Sequence, residues 1–240
     1  MRKQTLFKSD SVVFFDDNLD RNITPFREKF PKMKSIHVPS NKRYTQILKG
    51  RNDLFYPVMF SRKYKANRYA NFVAKRLTLK HPETLITQSS NSTNQGLSIP
   101  KIQEVIRWAK TPSEKKRAVL FDLDQTLLPN NFLFDDNDMK QVSKGRFSLE
   151  EVAKYLAGTA ERYDALKLMF SKLRSNGVAC KIFTDNMWAY NGVRKDFLFF
   201  LRVMQIFDPQ MTEADIIYGY KNKVTTFKRN KELMKIYRSV

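Results

Sequence analysis

From residue 118 onward, apolar and polar positions follow two alternating rhythms. Short apolar runs occur at 118–121 (AVLF), 178–186 (VACKIFTDN) and 214–220 (ADIIYGY), and each predicts a buried strand. Between and after them the apolar positions recur with helical spacing. This predicts helices at 148–156 (SLEEVAKYL), 161–177 (ERYDALKLMFSKLRSNG), 193–206 (VRKDFLFFLRVMQI) and 224–240 (VTTFKRNKELMKIYRSV). Ser148 with Glu151 three residues on reads as a capping box, and Gly177 as a helix stop. Nearer the N-terminus, SVVFFDD (11–17) and SIHV (35–38) read as strands flanking a helix at 21–29, and Ser98 with Pro100 starts a helix through IQEVIRWAK. Strand–helix alternation predicts an α/β fold with a central parallel sheet and helices on its faces.

Charge separates the middle of the chain from the rest. The net charge is +20, and residues 41–80 carry 11 basic and 1 acidic groups, half of that excess. Within this block Tyr69, Phe72, Val73 and Leu77 recur at helical spacing among Arg and Lys. Such a block attracts polyanions. Arg62, Lys63, Lys65, Arg68, Lys75 and Arg76 are its candidate phosphate-backbone contacts, with Tyr44, Tyr56, Tyr64 and Tyr69 as candidate base-stacking rings. The other reading is a solvated helix face with its aromatics packed inward. No RRM, KH, zinc-finger or helix-turn-helix pattern is present to read a base sequence. The polar stretch at 86–96 (ITQSSNSTNQG) reads as a linker. Three segments result: 1–40, a basic, mostly helical insertion with linker at 41–114, and 115–240.

Other features narrow the classes. No run reaches the roughly 18 apolar residues of a bilayer span, and MRKQTLFKSD lacks the apolar core of a secretory signal. One cysteine, Cys180, excludes an internal disulfide and suits a reducing, intracellular setting; it reads as a small core residue. Two histidines, His37 and His81, make a histidine-built metal site improbable and leave oxygen ligands for any cation. Trp108 and Trp188 read as packing. The acidic pair Asp135 and Asp136 reads as a solvated loop.

The chemistry-bearing residues stand at strand ends. Asp122 and Asp124 close the strand AVLF, Thr184 closes KIFT, Lys221 and Lys223 follow DIIYGY, and Asp16 and Asp17 close VVFF. Ligands of open parallel sheets bind beyond these carboxyl ends. Carboxylates crowded there repel one another unless a hard divalent cation relieves them, with Mg²⁺ the usual choice beside phosphate.

FDLDQT resembles the first motif of the haloacid dehalogenase (HAD) superfamily, DxDx[TV]. FTDN resembles its second motif, and a lysine before the last helix its third. An apolar strand ending in DD, the fourth, does not follow the third before Val240 but stands at the N-terminus as VVFFDD. The resemblance covers roughly 10–40 and 116–240. It implies a circularly permuted, Rossmann-like three-layer sandwich, tolerable where termini meet at a surface.

It further implies a phosphohydrolase. Asp122 would be the nucleophile and Asp124 the acid/base. Thr126, Thr184 and Asn186 would hold the phosphoryl group, with Lys223, or else Lys221, neutralising charge. Mg²⁺ would sit on Asp122, Asp124 and Asp17, with Asp16 in support. Gln125 stands where the pattern usually carries glycine. Fifty-seven residues separate Thr126 from Thr184 and 38 separate Thr184 from Lys223, too few for a large cap domain. Capless members act on macromolecules, so the expected substrate is a nucleic-acid end or a phosphoprotein. The rival expectations are a catalytically idle scaffold, nucleic-acid-associated or part of a virion, and a phosphotransferase with an acceptor other than water. The glycine-poor, Asn/Lys-rich composition suits a large DNA virus.

Overall fold

The computed structural model describes residues 11–39, 96–129, 142–145, 147–219 and 222–239. Of these, 11–39, 96–129 and 149–239 lie in one compact unit, and 142–145, 147 and 148 belong to a second.

The first unit is built on five parallel strands: β1 (Val12–Asp16), β2 (Lys34–His37), β3 (Arg117–Phe121), β4 (Val178–Thr184) and β5 (Ile216–Tyr218). They lie in the order β2-β1-β3-β4-β5. Every residue of β1 and β3 is buried, as a parallel sheet covered on both faces requires. Alternate side chains serve opposite faces. Phe14 and Leu120 join Phe26, Phe183 and Phe227 in one apolar cluster. Phe15 stacks on Phe121 at 5.3 Å between ring centroids, and Phe121 meets Phe170 edge-on at 6.0 Å on the other side.

Helices supply the remaining layers. α1 (Thr24–Lys29), α6 (Lys223–Arg229) and α7 (Lys231–Arg238) contribute Phe26, Phe227, Leu233 and Ile236 to the first cluster. On the opposite face α4 (Ala160–Ser175) brings Phe170, capped by Thr159 Oγ1, which accepts from Arg162 N at 3.2 Å. α2 (Ile99–Lys110) packs on α4, and α3 (Leu149–Ala157) packs on α4 and on α5 (Arg194–Phe207). Arg117 at the start of β3 ties α2 down by donating to the carbonyls of Trp108 and Ala109 at 2.6 and 2.8 Å. That helix, placed by the sequence within the 41–114 insertion and linker, therefore belongs to the same unit as the sheet.

Two elements differ from expectation. The helix expected at 21–29 starts as a turn of π helix over Leu19–Ile23, where Asn18 O accepts from Ile23 N at 3.1 Å and Asn18 Oδ1 caps the turn by accepting from Arg21 N at 2.9 Å. The single terminal helix breaks at Asn230. That residue leaves helical geometry (φ −77°, ψ 104°) and accepts from Leu233 N at 3.0 Å, ending α6 and starting α7.

No helix among the described residues is long and apolar enough to cross a membrane. The chain runs from β1 outward to β2, then returns to β3 on the other side of β1 and proceeds to β4 and β5. This reversal creates a topological switch point at the carboxyl ends of β1 and β3, the place where such sheets bind ligands.

Candidate active site

Asp16 ends β1, Asp17 follows it, and Asp122 follows β3 at the switch point. The register pairs Phe15 with Phe121, so the two acidic strand ends emerge side by side. Phe15 O accepts from Asp122 N at 2.9 Å and extends the ladder up to the carboxylates. Asp16, Asp17 and Asp122 each offer a carboxylate oxygen within 4.8 Å of the others. Three hard oxygen donors at that spacing fit a small divalent cation and suit Mg²⁺. The far-separated segments VVFFDD and FDLDQT thus meet, as the sequence requires of Asp17 and Asp122.

Lys223, the first residue of α6, points into this group and is almost fully buried. Its Nζ donates to Asp16 Oδ2 at 2.7 Å. It also lies 2.7 Å from Asp122 Oδ1 as an ion pair. Burial alone would lower the Lys223 pKa, but Asp122 and Asp16 outweigh it and hold the ammonium above its ordinary value. Asp122 is pushed well above the usual carboxylate range, chiefly by burial; Lys223 opposes the shift and the negative charge of Asp16 adds to it. Among the described residues, the cluster of Asp16, Asp17 and Asp122 carries more carboxylates than the Lys223 ammonium can neutralise.

Asp16 is saturated with donors. Oδ1 accepts from Asn18 N at 2.8 Å, and both oxygens accept from Asn22 Nδ2 at 3.0 Å, in addition to the Lys223 bond. Its first task is to anchor Lys223. His37, at the end of β2, bonds the Asp17 carbonyl through Nε2 at 3.0 Å and steadies the backbone beside that carboxylate.

Asp124 accepts from Asn186 Nδ2 at 2.5 Å, and Asn186 Oδ1 in turn accepts from Trp188 N at 3.0 Å. Asn186, expected on the phosphate, has its amide committed to Asp124. Thr184 ends β4 next to this pair, and its Oγ1 accepts from Asn186 N at 3.1 Å. Thr126 is fully buried, and its Oγ1 has no hydrogen-bond partner among the described residues. Gln125 adopts φ +60°, the left-handed region where glycine is favoured. The loop holds that geometry through Leu127 N to Asp122 O at 3.1 Å and Leu128 N to Leu123 O at 2.9 Å.

Asn22, His37 and Gly219 were not foreseen from sequence. A Cβ on Gly219 would lie 2.8 Å from Lys223 Cγ and 2.8 Å from Phe183 Cε2, so only a bare backbone lets the lysine stem pass to the carboxylates. The glycine of YGYKNK, four residues before the lysine, is the available signal. Lys221, Asp135, Asp136 and the basic cluster Arg62, Lys63, Lys65, Arg68, Lys75 and Arg76 lie outside the described residues. Cys180 is buried, and burial pushes its thiol up to about 12, which suits a packing role. Trp108 packs beneath the Arg117 guanidinium and Trp188 against Phe199.

No protein-family model, no curated protein and no solved structure matches this chain. The site is therefore read from its own geometry.

Proposed function

We propose that this protein is a Mg²⁺-dependent phosphohydrolase of HAD type, permuted and capless, that works through an aspartyl-phosphate on Asp122. The observation that carries the reading is the meeting of Asp16, Asp17, Asp122 and Lys223, whose ends lie 207 residues apart in the chain, at one sheet edge. The order of the motif-like segments, with VVFFDD ahead of FDLDQT, supports the permuted arrangement.

In this mechanism Asp122 attacks phosphorus and the bond from phosphorus to the ester oxygen breaks. Asp124 gives its proton to the departing oxygen. Water then attacks the acyl phosphate, Asp124 takes its proton, and phosphate leaves with Asp122 restored. Asn186 aims Asp124 through its short amide contact, and Thr184 donates to the phosphoryl oxygens. Lys223, fixed by Asp16, neutralises charge on the nucleophile and the phosphoryl group. A Mg²⁺ held by Asp17 and Asp122, with the main chain at Asp124, would supply charge neutralisation that favours ionised Asp122. The basic composition favours a phosphorylated macromolecule as substrate, held partly through the 41–80 block.

The test is hydrolysis of an aryl phosphate with and without Mg²⁺ by wild type and Asp122→Asn. Metal-dependent turnover that the substitution abolishes supports the reading. Equal inertness of both proteins across pH and metals contradicts it and favours a scaffold that binds polyanions.

A further inference from the structure

A pair of aromatic rings, one exposed and one half-buried, stands one strand away from Thr184. Tyr218, the last residue of β5, is the register partner of Thr184, and Gly219 N donates to Thr184 O at 2.7 Å. Against it lies Tyr190, with ring centroids 5.2 Å apart and planes tilted by 43°. Tyr190 is 42% exposed. It is held in place from below. A Cβ on Gly192 would come within 2.5 Å of Tyr190 Cε1 and Cζ, so the ring rests on bare backbone. Val193 N, which leads into α5, donates to Tyr190 O at 3.2 Å and ties the loop to the helix. The exposed ring lies over the Gly192 backbone and presents an apolar face to solvent.

We infer that Tyr190, backed by Tyr218, is a base-stacking subsite for the terminal nucleotide of a single-stranded nucleic acid whose end phosphate occupies the site at Asp122 and Thr184. This rests on the phosphohydrolase reading above and names its substrate class. Tyr218 and Thr184 are register partners on adjacent strands about 4.8 Å apart, so the tyrosine pair stands beside a phosphate held at Thr184. A nucleotide has that layout, with a planar base set off from its phosphate by one sugar. Phosphoserine has no planar group there, and in phosphotyrosine only one oxygen separates the ring from phosphorus. A net charge of +20 draws a polyanion rather than a basic peptide. The aromatic face tolerates any base, because every base offers a π face.

The experiment uses the full chain carrying Asp122→Asn with Mg²⁺, so that ligand is held without turnover. Binding of a fluorescent, end-phosphorylated oligothymidylate is compared with the same strand ending in an abasic phosphate and with a phosphoserine peptide. Added Tyr190→Ala should weaken the base-bearing end by about 5- to 150-fold, the range of one base–aromatic stack. The abasic end should change less than twofold. Tyr190→Phe should retain tight binding, and Leu168→Ala, an exposed residue on α4, should behave as the parent. Equal loss on base-bearing and abasic ends overturns the inference, as does a loss confined to the phosphopeptide. The two readings fail separately. Base-dependent binding with no Mg²⁺-dependent aryl phosphatase activity in wild type removes the enzyme and keeps the subsite; activity without base dependence does the reverse.

Discussion

At the amino end of β5, Arg174 donates to Asp208 at 2.9 and 2.7 Å and to Asp215 at 2.9 Å. Lys181 lies 3.1 Å from both Asp215 and the exposed Glu232. At the carboxyl ends of β1 and β3, by contrast, the described residues set one ammonium, Lys223, against Asp16 and Asp122, with Asp17 alongside. Both clusters take charge out of water, and they resolve it in opposite ways. Burial would raise the Asp215 carboxyl, but the Thr212 N–H and Arg174 bring it below its ordinary value. Asp122 stays above its ordinary value despite Lys223. The first cluster is electrostatically complete and serves the fold. Among the described residues the second is short of positive charge, and a bound cation can make up that shortage.

The sharpest way to break that contrast is activity. Asp122→Asn should lower kcat by about 10⁴-fold or more, measured on an aryl phosphate, whereas a change at Asp215 should act through stability alone. Next in size is Asp215→Ala, which leaves Arg174 and the buried Lys181 short of a partner. It should cost about 3–5 kcal/mol in denaturant unfolding. Asp122→Asn should do the reverse in metal-free buffer and raise Tm, because it removes a carboxylate that the folded state disfavours in its charged form. A fall in Tm for Asp122→Asn would erase the distinction between the clusters.

The pH dependence has opposite signs at the two sites. A raised Asp122 pKa stabilises the fold below the unfolded value of about 3.9, and that contribution is lost as pH rises toward the folded pKa. A lowered Asp215 pKa gives stability above about 3.9 that is lost as pH falls. Metal-free Tm profiles of Asp122→Asn and Asp215→Asn should therefore both approach wild type in acid and depart from it as pH rises, Asp122→Asn toward higher Tm and Asp215→Asn toward lower. A smaller effect is expected at Gly219→Ala, which should displace the Lys223 stem and lower kcat by about 10- to 100-fold with a modest loss of Tm. The smallest is at Thr126→Val. Its hydroxyl is buried without a partner among the described residues, so the substitution should leave stability unchanged or slightly higher.

The central strands were legible because a covered parallel sheet demands unbroken apolar runs, and VVFF, AVLF and KIF supply them. Their polar ends were legible for the same reason, since Asp16, Asp122 and Thr184 interrupt those runs abruptly. The proximity of Asp17 to Asp122 followed from matching strand ends rather than from spacing along the chain. The supporting residues were not legible. Asn22 reaches Asp16 only after the π turn folds back, and His37 meets Asp17 only once β2 pairs with β1. Gly219 matters only because Lys223 must pass it. Asn230 could break the terminal helix because a side-chain cap there competes with helical continuation, a contest that apolar periodicity does not register.

Calorimetric titration of Mg²⁺ into the full chain, in two buffers of different ionisation enthalpy, tests the charge shortage most directly. The account predicts one bound Mg²⁺ with net proton release, since the cation draws Asp122 toward its ionised form, and loss of that binding in Asp17→Asn. Wild type that binds no Mg²⁺, or binds it without releasing protons and equally well as Asp17→Asn, would contradict it.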